Sequence, residues 1–149
     1  MTLRWLFAAL HLLALGIGLG SVWARGRALR GPLDAAGLRR VFYADTWWGL
    51  AAMLWLVTGL VRLFAGLEKG SAYYMHNHFF WAKMTMLVVI FALEVAPMVA
   101  LIQWRVALRK GRAPDTARAG GFATISYVQA VLVVLMVVAA TAMARGYGV

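Results

Sequence analysis

Residues Phe79–Ile102 read FFWAKMTMLVVIFALEVAPMVALI, and this stretch decides the fold class. A helix of about 20 apolar residues crosses a bilayer core ~30 Å thick, and only Lys83 and Glu94 interrupt this one with charge. Three other stretches are comparably long and apolar: Leu3–Trp23, Val41–Phe64 and Gly121–Ala144. The sequence therefore predicts an all-α integral membrane four-helix bundle that forms a single domain over residues 1–149.

The composition favours the same conclusion. Of the 149 residues, 64% are hydrophobic and 13% are charged, and the mean hydropathy is +0.78. Soluble domains contain roughly 45–50% apolar and about 25% charged residues, so lipid is the predicted solvent of this chain. The sequence has no cysteine, which excludes disulfides, thiolate metal sites and thiol nucleophiles.

The net charge of +10 is unevenly distributed. Basic residues fill two of the predicted loops: Arg25, Arg27, Arg30, Arg39 and Arg40 in the first, and Arg105, Arg109, Lys110, Arg112 and Arg118 in the third. Because Lys and Arg accumulate in cytoplasmic loops, we predict that the first and third loops are cytoplasmic and that both termini face the outer side of the membrane. The charge is thus interpreted as a topology signal with some affinity for anionic lipid headgroups, and nucleic-acid binding is not expected.

Two local motifs concern packing. The loops Arg30–Ala35 (RGPLDA) and Arg112–Ala117 (RAPDTA) resemble each other, and in both the proline is expected to end one helix and the aspartate to cap the next. Gly16 and Gly20 have the spacing that lets a neighbouring helix approach closely. These motifs predict close packing of neighbouring helices and do not indicate a catalytic or binding role.

His11 and Lys83 are candidate functional residues, because ionisable groups inside a membrane usually face a partner or a cavity. Both are predicted to lie in the outer half, with Arg62 near the outer end of helix two. The loop that follows helix two adds further polar side chains: Lys69, Tyr73, Tyr74, His76 and His78. This arrangement predicts an outer-half pocket.

Neutral imidazole is an axial ligand of haem iron, so the pocket could hold haem b or another porphyrin with His11 as ligand. The small residues Ala14 and Gly18 are expected along the face of the ring. The candidates for holding the propionates are Arg62, Lys69 and Lys83. The second axial position stays open between His78, His76, a methionine and no protein ligand. Hydrogen bonding of His11 across helices, with no cofactor, is the alternative.

A second polar layer is predicted nearer the cytoplasm from Asp45, Glu94 and Gln129. Lys83 and Glu94 are eleven residues apart, which returns them to one face of helix three. The carboxylates either relay protons, as in pumps and transporters, or form a static hydrogen-bonded cluster. Lys83, Glu94 and Asp45 are the candidate catalytic residues.

Two other functions fit the residues. His76 and His78 lie near Met75, Met84 and Met86, and imidazole and thioether ligands favour copper, so the candidate metal ligands are His11, His76 and His78. A copper or small-solute binding or transport protein is therefore one alternative, and a structural subunit of a membrane complex is the other. A second copy of this chain, in a homo-oligomer, is among the candidate partners. The sequence contains no phosphate-binding loop or nucleophile–base pair, so hydrolase and kinase activities are not expected.

The chain resembles the HemJ-type protoporphyrinogen oxidase superfamily in three short motifs: Arg4 seven residues before His11, Arg39-Arg40, and Trp81-Ala82-Lys83. The resemblance implies haem b, functional roles for His11 and Lys83, and an oxidoreductase of the haem-biosynthesis type in a bacterial inner membrane. If the protein is redox-active, we expect substrate oxidation to pass electrons to quinone. Glu94 stands where that superfamily tends to carry a histidine, which leaves the enzymatic activity open. The chain is more similar to a related uncharacterised bacterial four-helix family, through Gly31–Ala36 and Glu68-Lys69-Gly70.

Overall fold

Four long helices make up the part of the chain that the computed structural model describes, residues 2–64 and 75–148. They are α1 (Thr2–Arg30), α2 (Ala35–Phe64), α3 (His78–Arg109) and α4 (Ala119–Ala144). Each is long and apolar enough to cross a membrane, and the described residues contain no strand. The predicted all-α four-helix membrane architecture is confirmed. Lys69, Tyr73 and Tyr74 lie outside the described residues.

The helices are longer than predicted at the end of the bundle that carries the two basic loops, called the basic end below. α1 runs to Arg30, α2 begins at Ala35, and α3 runs to Arg109. The placement of several arginines in loops is therefore wrong, since these residues are helical: Arg25, Arg27, Arg30, Arg39, Arg40, Arg105 and Arg109. Arginine is a good helix former, and its aliphatic stem can follow the apolar surface of a helix, so basic charge does not end a helix at the membrane boundary.

The helices pack in the order α2–α1–α4–α3, because α1 lies against α2 and α4, and α4 lies against α3. Helices α1 and α3 are therefore diagonal partners, which meet only through side chains that reach the centre. The middle of the bundle is filled by an apolar cluster, called the central apolar layer: Val22, Trp48, Ile90, Ala130, Val133 and Met136. This layer separates the polar residues of the basic end from those of the opposite, terminal end.

The inward faces of α1 and α3 follow spacings of three and four residues. On α1 the inward positions are His11, Ala14, Gly18, Val22, Arg25 and Leu29, and on α3 they are Phe80, Lys83, Leu87, Ile90, Glu94, Pro97, Leu101 and Trp104. Such a stripe stays on one side of a helix over several turns. His11 and Arg25 thus share one face of α1, and the sequence position of Lys83 places it in the same stripe as Glu94.

The tight loop between α1 and α2 owes its shape to two residues. The carboxylate of Asp34 accepts a hydrogen bond from the backbone N–H of Gly37 (2.7 Å), which caps the first turn of α2 as predicted. Any side chain at Gly37 would overlap the carbonyl oxygen of Pro32. In the second motif, the Asp115 carboxylate accepts from the N–H of Ala117 (3.0 Å) instead. Asp115 stabilises a turn before α4, so its predicted capping of that helix is wrong.

At the terminal end, Asn77 joins the start of α3 to the residues after α4. Its side-chain oxygen accepts from the N–H of Phe79 (3.0 Å) and of Phe80 (3.3 Å). Its amide nitrogen donates to the carbonyl oxygen of Tyr147 (3.0 Å). Asn77 is fully buried, so these bonds replace the water that its amide gives up.

The close helix approach predicted at Gly16 and Gly20 occurs at Gly18. A Cβ atom at Gly18 would lie 3.5 Å from Trp48 and from Ala51 of α2, whereas Gly16 and Gly20 have no atom of the described chain within 4 Å of that position. The prediction for Gly16 and Gly20 is wrong because they lie two residues away from Gly18 and turn outward.

Candidate functional site

The polar layer at the basic end is built around the guanidinium group of Arg25, which is completely buried. Its five N–H groups make five hydrogen bonds to the other three helices. Glu94 of α3 accepts two of them, at 2.7 Å from Nη1 and 2.8 Å from Nη2. Asp45 accepts one from Nη1 at 2.9 Å, Gln129 one from Nη2 at 2.9 Å, and Ser126 one from Nε at 3.0 Å. An arginine has no further donor to offer.

Two more side chains complete this layer. The amide nitrogen of Gln129 donates to Glu94 Oε2 (2.8 Å) and to the carbonyl oxygen of Ile90 (3.1 Å). Arg105 of α3 forms a second ion pair with Asp45, with Nη2 3.0 Å from Oδ2. The two arginines and two carboxylates therefore balance in charge, which a cluster inside a membrane requires.

The sequence predicted that Asp45, Glu94 and Gln129 share a layer, and the structure brings them together around one group. The sequence analysis missed Arg25 itself, which it counted among loop residues. A signal was available: two carboxylates in neighbouring apolar helices need a counter-charge, and Arg25 is two heptads from His11 on one face of α1.

The polar layer at the basic end is a hydrogen-bonded cluster that joins the helices. Both carboxylates accept hydrogen bonds from guanidinium groups, and the side chains of Asp45 and Glu94 are only 13% and 17% exposed. Such an arrangement ties α1, α2, α3 and α4 in one plane. It can fix the helices in one register, and its carboxylates are already engaged as acceptors.

The polar layer at the terminal end contains His11, which is hydrogen-bonded to α2. His11 Nδ1 lies 2.9 Å from the hydroxyl oxygen of Thr58. That hydroxyl also lies 2.7 Å from the carbonyl oxygen of Leu54 and 3.1 Å from that of Trp55, and either carbonyl can accept its hydrogen. When the hydroxyl hydrogen points to one of these carbonyls, the hydroxyl oxygen accepts from the Nδ1–H of His11, and the neutral imidazole carries its lone pair on Nε2.

The imidazole of His11 lies on one stripe of α2. Its ring stacks on Trp55 with centroids 5.7 Å apart and planes at 28°, and its Cε1 would be 3.3 Å from a Cβ atom at Gly59. Arg62 lies one turn beyond Thr58, about 6 Å nearer the terminal end. The indole N–H of Trp55 is buried and has no acceptor within the described ranges. This stripe of α2 therefore places an aromatic ring, a hydroxyl group and a backbone segment beside His11, and the cation of Arg62 lies one turn further out.

Ala14 and Gly18, which we expect along the face of a bound porphyrin, do not border an open cavity in the structure. Ala14 is only 1% exposed, and Trp48 and Ala51 of α2 cover Gly18. The cavity between them is about 10 Å³, which is at most the room of one water molecule. A porphyrin would have to meet His11 from its terminal side, where Arg62 lies.

The other predicted site residues lie around the terminal end. Lys83 and Arg62 are half-buried, and His76 and His78 are exposed at the start of α3. The backbone N–H of His78 donates to the carbonyl oxygen of Gly148 (2.9 Å), so this histidine lies beside the C-terminal segment. Residues 2–64 and 75–148 bring together no group of three or more His, Asp or Glu side chains that could hold a metal ion.

Comparison with known proteins gives a family and nothing more specific. A family model described as "Predicted membrane protein (DUF2214)" matches residues 3–148. No curated protein and no solved structure matches the chain.

Proposed function

This chain belongs to the DUF2214 family of predicted membrane proteins, and from that premise we propose that it binds haem b or another metalloporphyrin through Nε2 of His11. The observation that carries the proposal is the hydrogen bond between His11 Nδ1 and the hydroxyl of Thr58, in which we assign Nδ1–H as the donor. Metal-ligating histidines almost always donate their other ring N–H to a fixed acceptor, which sets the tautomer and orients the ring. Thr58 supplies that acceptor inside an apolar helix pair.

The surroundings of His11 suit a flat, apolar ligand with anionic substituents. Trp55 gives an aromatic surface beside the imidazole. Arg62 on α2 and Arg4 on α1 lie one and two turns further towards the terminal end than Thr58 and His11 respectively. These cations and Lys83 are the groups that we assign to propionate binding. Bound haem would supply one-electron chemistry at the iron, and an oxidoreductase role with quinone as acceptor rests on the HemJ-type resemblance.

The test is an absorption spectrum of protein expressed with ample haem supply and purified in detergent. We expect a Soret band in the wild type that is lost in His11→Ala. Thr58→Val should keep His11 but weaken haem binding about 10- to 100-fold, the usual cost of losing such an outer partner. The matched control is Thr124→Val, because the hydroxyl of Thr124 also donates to a carbonyl one turn back, that of Gly120 (3.2 Å), but is exposed on α4.

Two results would contradict the proposal. One is the absence of a Soret band from folded wild-type protein. The other is an equal loss of haem binding in Thr58→Val and Thr124→Val. Copper that is retained without haem and disappears in a His76→Ala/His78→Ala double variant would support the copper-binding alternative instead.

A further inference from the structure

A groove opens between α1 and α2 at the basic end, on the far side of the bundle from His11. Its volume is about 820 Å³. The floor is made of small residues from both helices, which include Ala24, Ala28 and Ala36, and the rim carries Arg27, Arg39 and Arg40 with Tyr43. The groove thus combines a small-residue apolar floor with three guanidinium groups where two membrane-crossing helices end.

Within residues 2–64 and 75–148, the three rim arginines have no counter-ion and make no hydrogen bond, whereas Arg25 and Arg105 are paired with the carboxylates of Asp45 and Glu94. The nearest acids in sequence are Asp34, whose Oδ1 atom caps α2 at Gly37, and Asp45, whose carboxylate pairs with Arg25 and Arg105. All three rim side chains are exposed. Their charge is therefore available to an anion from outside the chain.

The rim is also held in place. Only residues 31–34 separate α1 from α2, and the Asp34 cap and the packing of Gly37 against Pro32 fix the turn. Arg27 is in the last turn of α1, and Arg39 and Arg40 are near the start of α2. The two helix ends keep the backbones of these arginines at one groove, which reduces the entropy lost on binding a ligand.

We propose that this groove binds an anionic phospholipid of the adjoining leaflet, with its phosphate on Arg27, Arg39 and Arg40 and the start of an acyl chain on the alanine floor. Guanidinium groups pair with phosphate through two parallel hydrogen bonds, which favours arginine at such a site. Basic pockets between transmembrane helices bind lipid headgroups by this chemistry. The corresponding groove between α3 and α4 has Arg112 and Arg118 but also Asp115 on its rim, so it suits an anion less well.

The proposal can be tested with the purified full chain in nanodiscs of dioleoyl phosphatidylcholine to which dioleoyl phosphatidylglycerol is added. Native mass spectrometry should show saturable retention of phosphatidylglycerol. The variant R27Q/R39Q/R40Q should bind it about 100-fold more weakly, from roughly five-fold for each arginine near a membrane surface. The matched control is K110Q/R112Q/R118Q, which removes the same charge at the other basic loop and should bind within a few-fold of the wild type.

The competing outcomes are distinct. Equal weakening in both triple variants would mean that only net charge matters and would overturn the site. Retention that never saturates in the wild type would overturn it without any variant. Displacement of phosphatidylglycerol by millimolar inorganic phosphate would show that the groove recognises the phosphate group alone, with no contribution from the acyl chain, and would also overturn the proposal. Equal Tm values of all three proteins in pure phosphatidylcholine establish that the variants are folded.

Discussion

Arg25 of α1 and Glu94 of α3 pair through two parallel hydrogen bonds, of 2.7 and 2.8 Å, across the centre of the bundle. Because α1 and α3 are diagonal partners, this pair spans the bundle where the helix backbones do not touch closely. The same guanidinium also bonds to α2 and α4. A single side chain thus positions all four helices relative to one another.

Removal of this cation should destabilise the protein strongly. Arg25→Met would leave Asp45 and Glu94 with one remaining cation, Arg105, and we expect a cost of about 3–5 kcal/mol, as for other broken buried pairs. Arg27→Met is the matched control, since Arg27 is exposed and two residues away on α1, and it should change stability by less than about 0.5 kcal/mol. Thermal unfolding in detergent measures both. Equal Tm values for the two variants would contradict the role of Arg25.

The coupling between Arg25 and Glu94 should appear in a double-mutant cycle. Arg25→Met and Glu94→Met each leave a buried charge without its partner, whereas the double variant removes both charges together. The double variant should therefore be more stable than the sum of the single effects predicts, by about 1–3 kcal/mol. Unfolding free energies of the four proteins give this value, and strict additivity would mean that the two residues act independently.

Gly37→Ala should disrupt the first loop. A methyl group would overlap the Pro32 carbonyl oxygen, which belongs to the backbone and cannot turn aside. The loop would have to open, at a cost of about 1–3 kcal/mol. Gly49→Ala is the control on the same helix, because a Cβ atom there meets nothing within 4 Å of the described chain; it should be neutral or stabilise by up to about 1 kcal/mol. A comparison of Tm values tests the difference, and similar Tm values for the two variants would show that the loop tolerates a side chain.

Asn77→Ala should loosen the terminal end. The substitution removes an N-cap, worth about 1 kcal/mol, and leaves the Tyr147 carbonyl without its donor. Asn77→Ser keeps a side-chain oxygen that can cap α3 but loses the amide donor to Tyr147, so it should lie between the wild type and Asn77→Ala. Hydrogen exchange at the first turn of α3 reports the cap separately from global unfolding. Faster exchange in Asn77→Ser than in Asn77→Ala would contradict this assignment.

The architecture could be predicted because each helix is an uninterrupted apolar segment. The polar layers could be predicted only in part. Asp45, Glu94 and Gln129 stood out against apolar neighbours, whereas Arg25 lies among other arginines near the end of α1 and looked like part of a loop. A count of charges by loop cannot distinguish an exposed arginine from one that turns inward, because that depends on which face of the helix meets the other helices.

The surroundings of His11 could not be predicted from the sequence, for a different reason. His11 could be identified from composition, but its partner could not, because Thr58 is one of several hydroxyl residues in α2 and nothing in its spacing marks it. Ala14 and Gly18 were expected to line a pocket because they are small. Their size instead lets α2 pack against α1, and only the relative rotation of two helices separates these outcomes.

The central apolar layer affects proton transfer through the bundle. His11 and Arg25 lie on one face of α1, about 21 Å apart along the helix axis, and the buried side chains at this level are apolar: Val22, Trp48, Ile90, Ala130, Val133 and Met136. Protons move along chains of hydrogen-bonding groups, and these described side chains do not form one. We therefore expect the apolar layer to hinder proton transfer between His11 and Arg25.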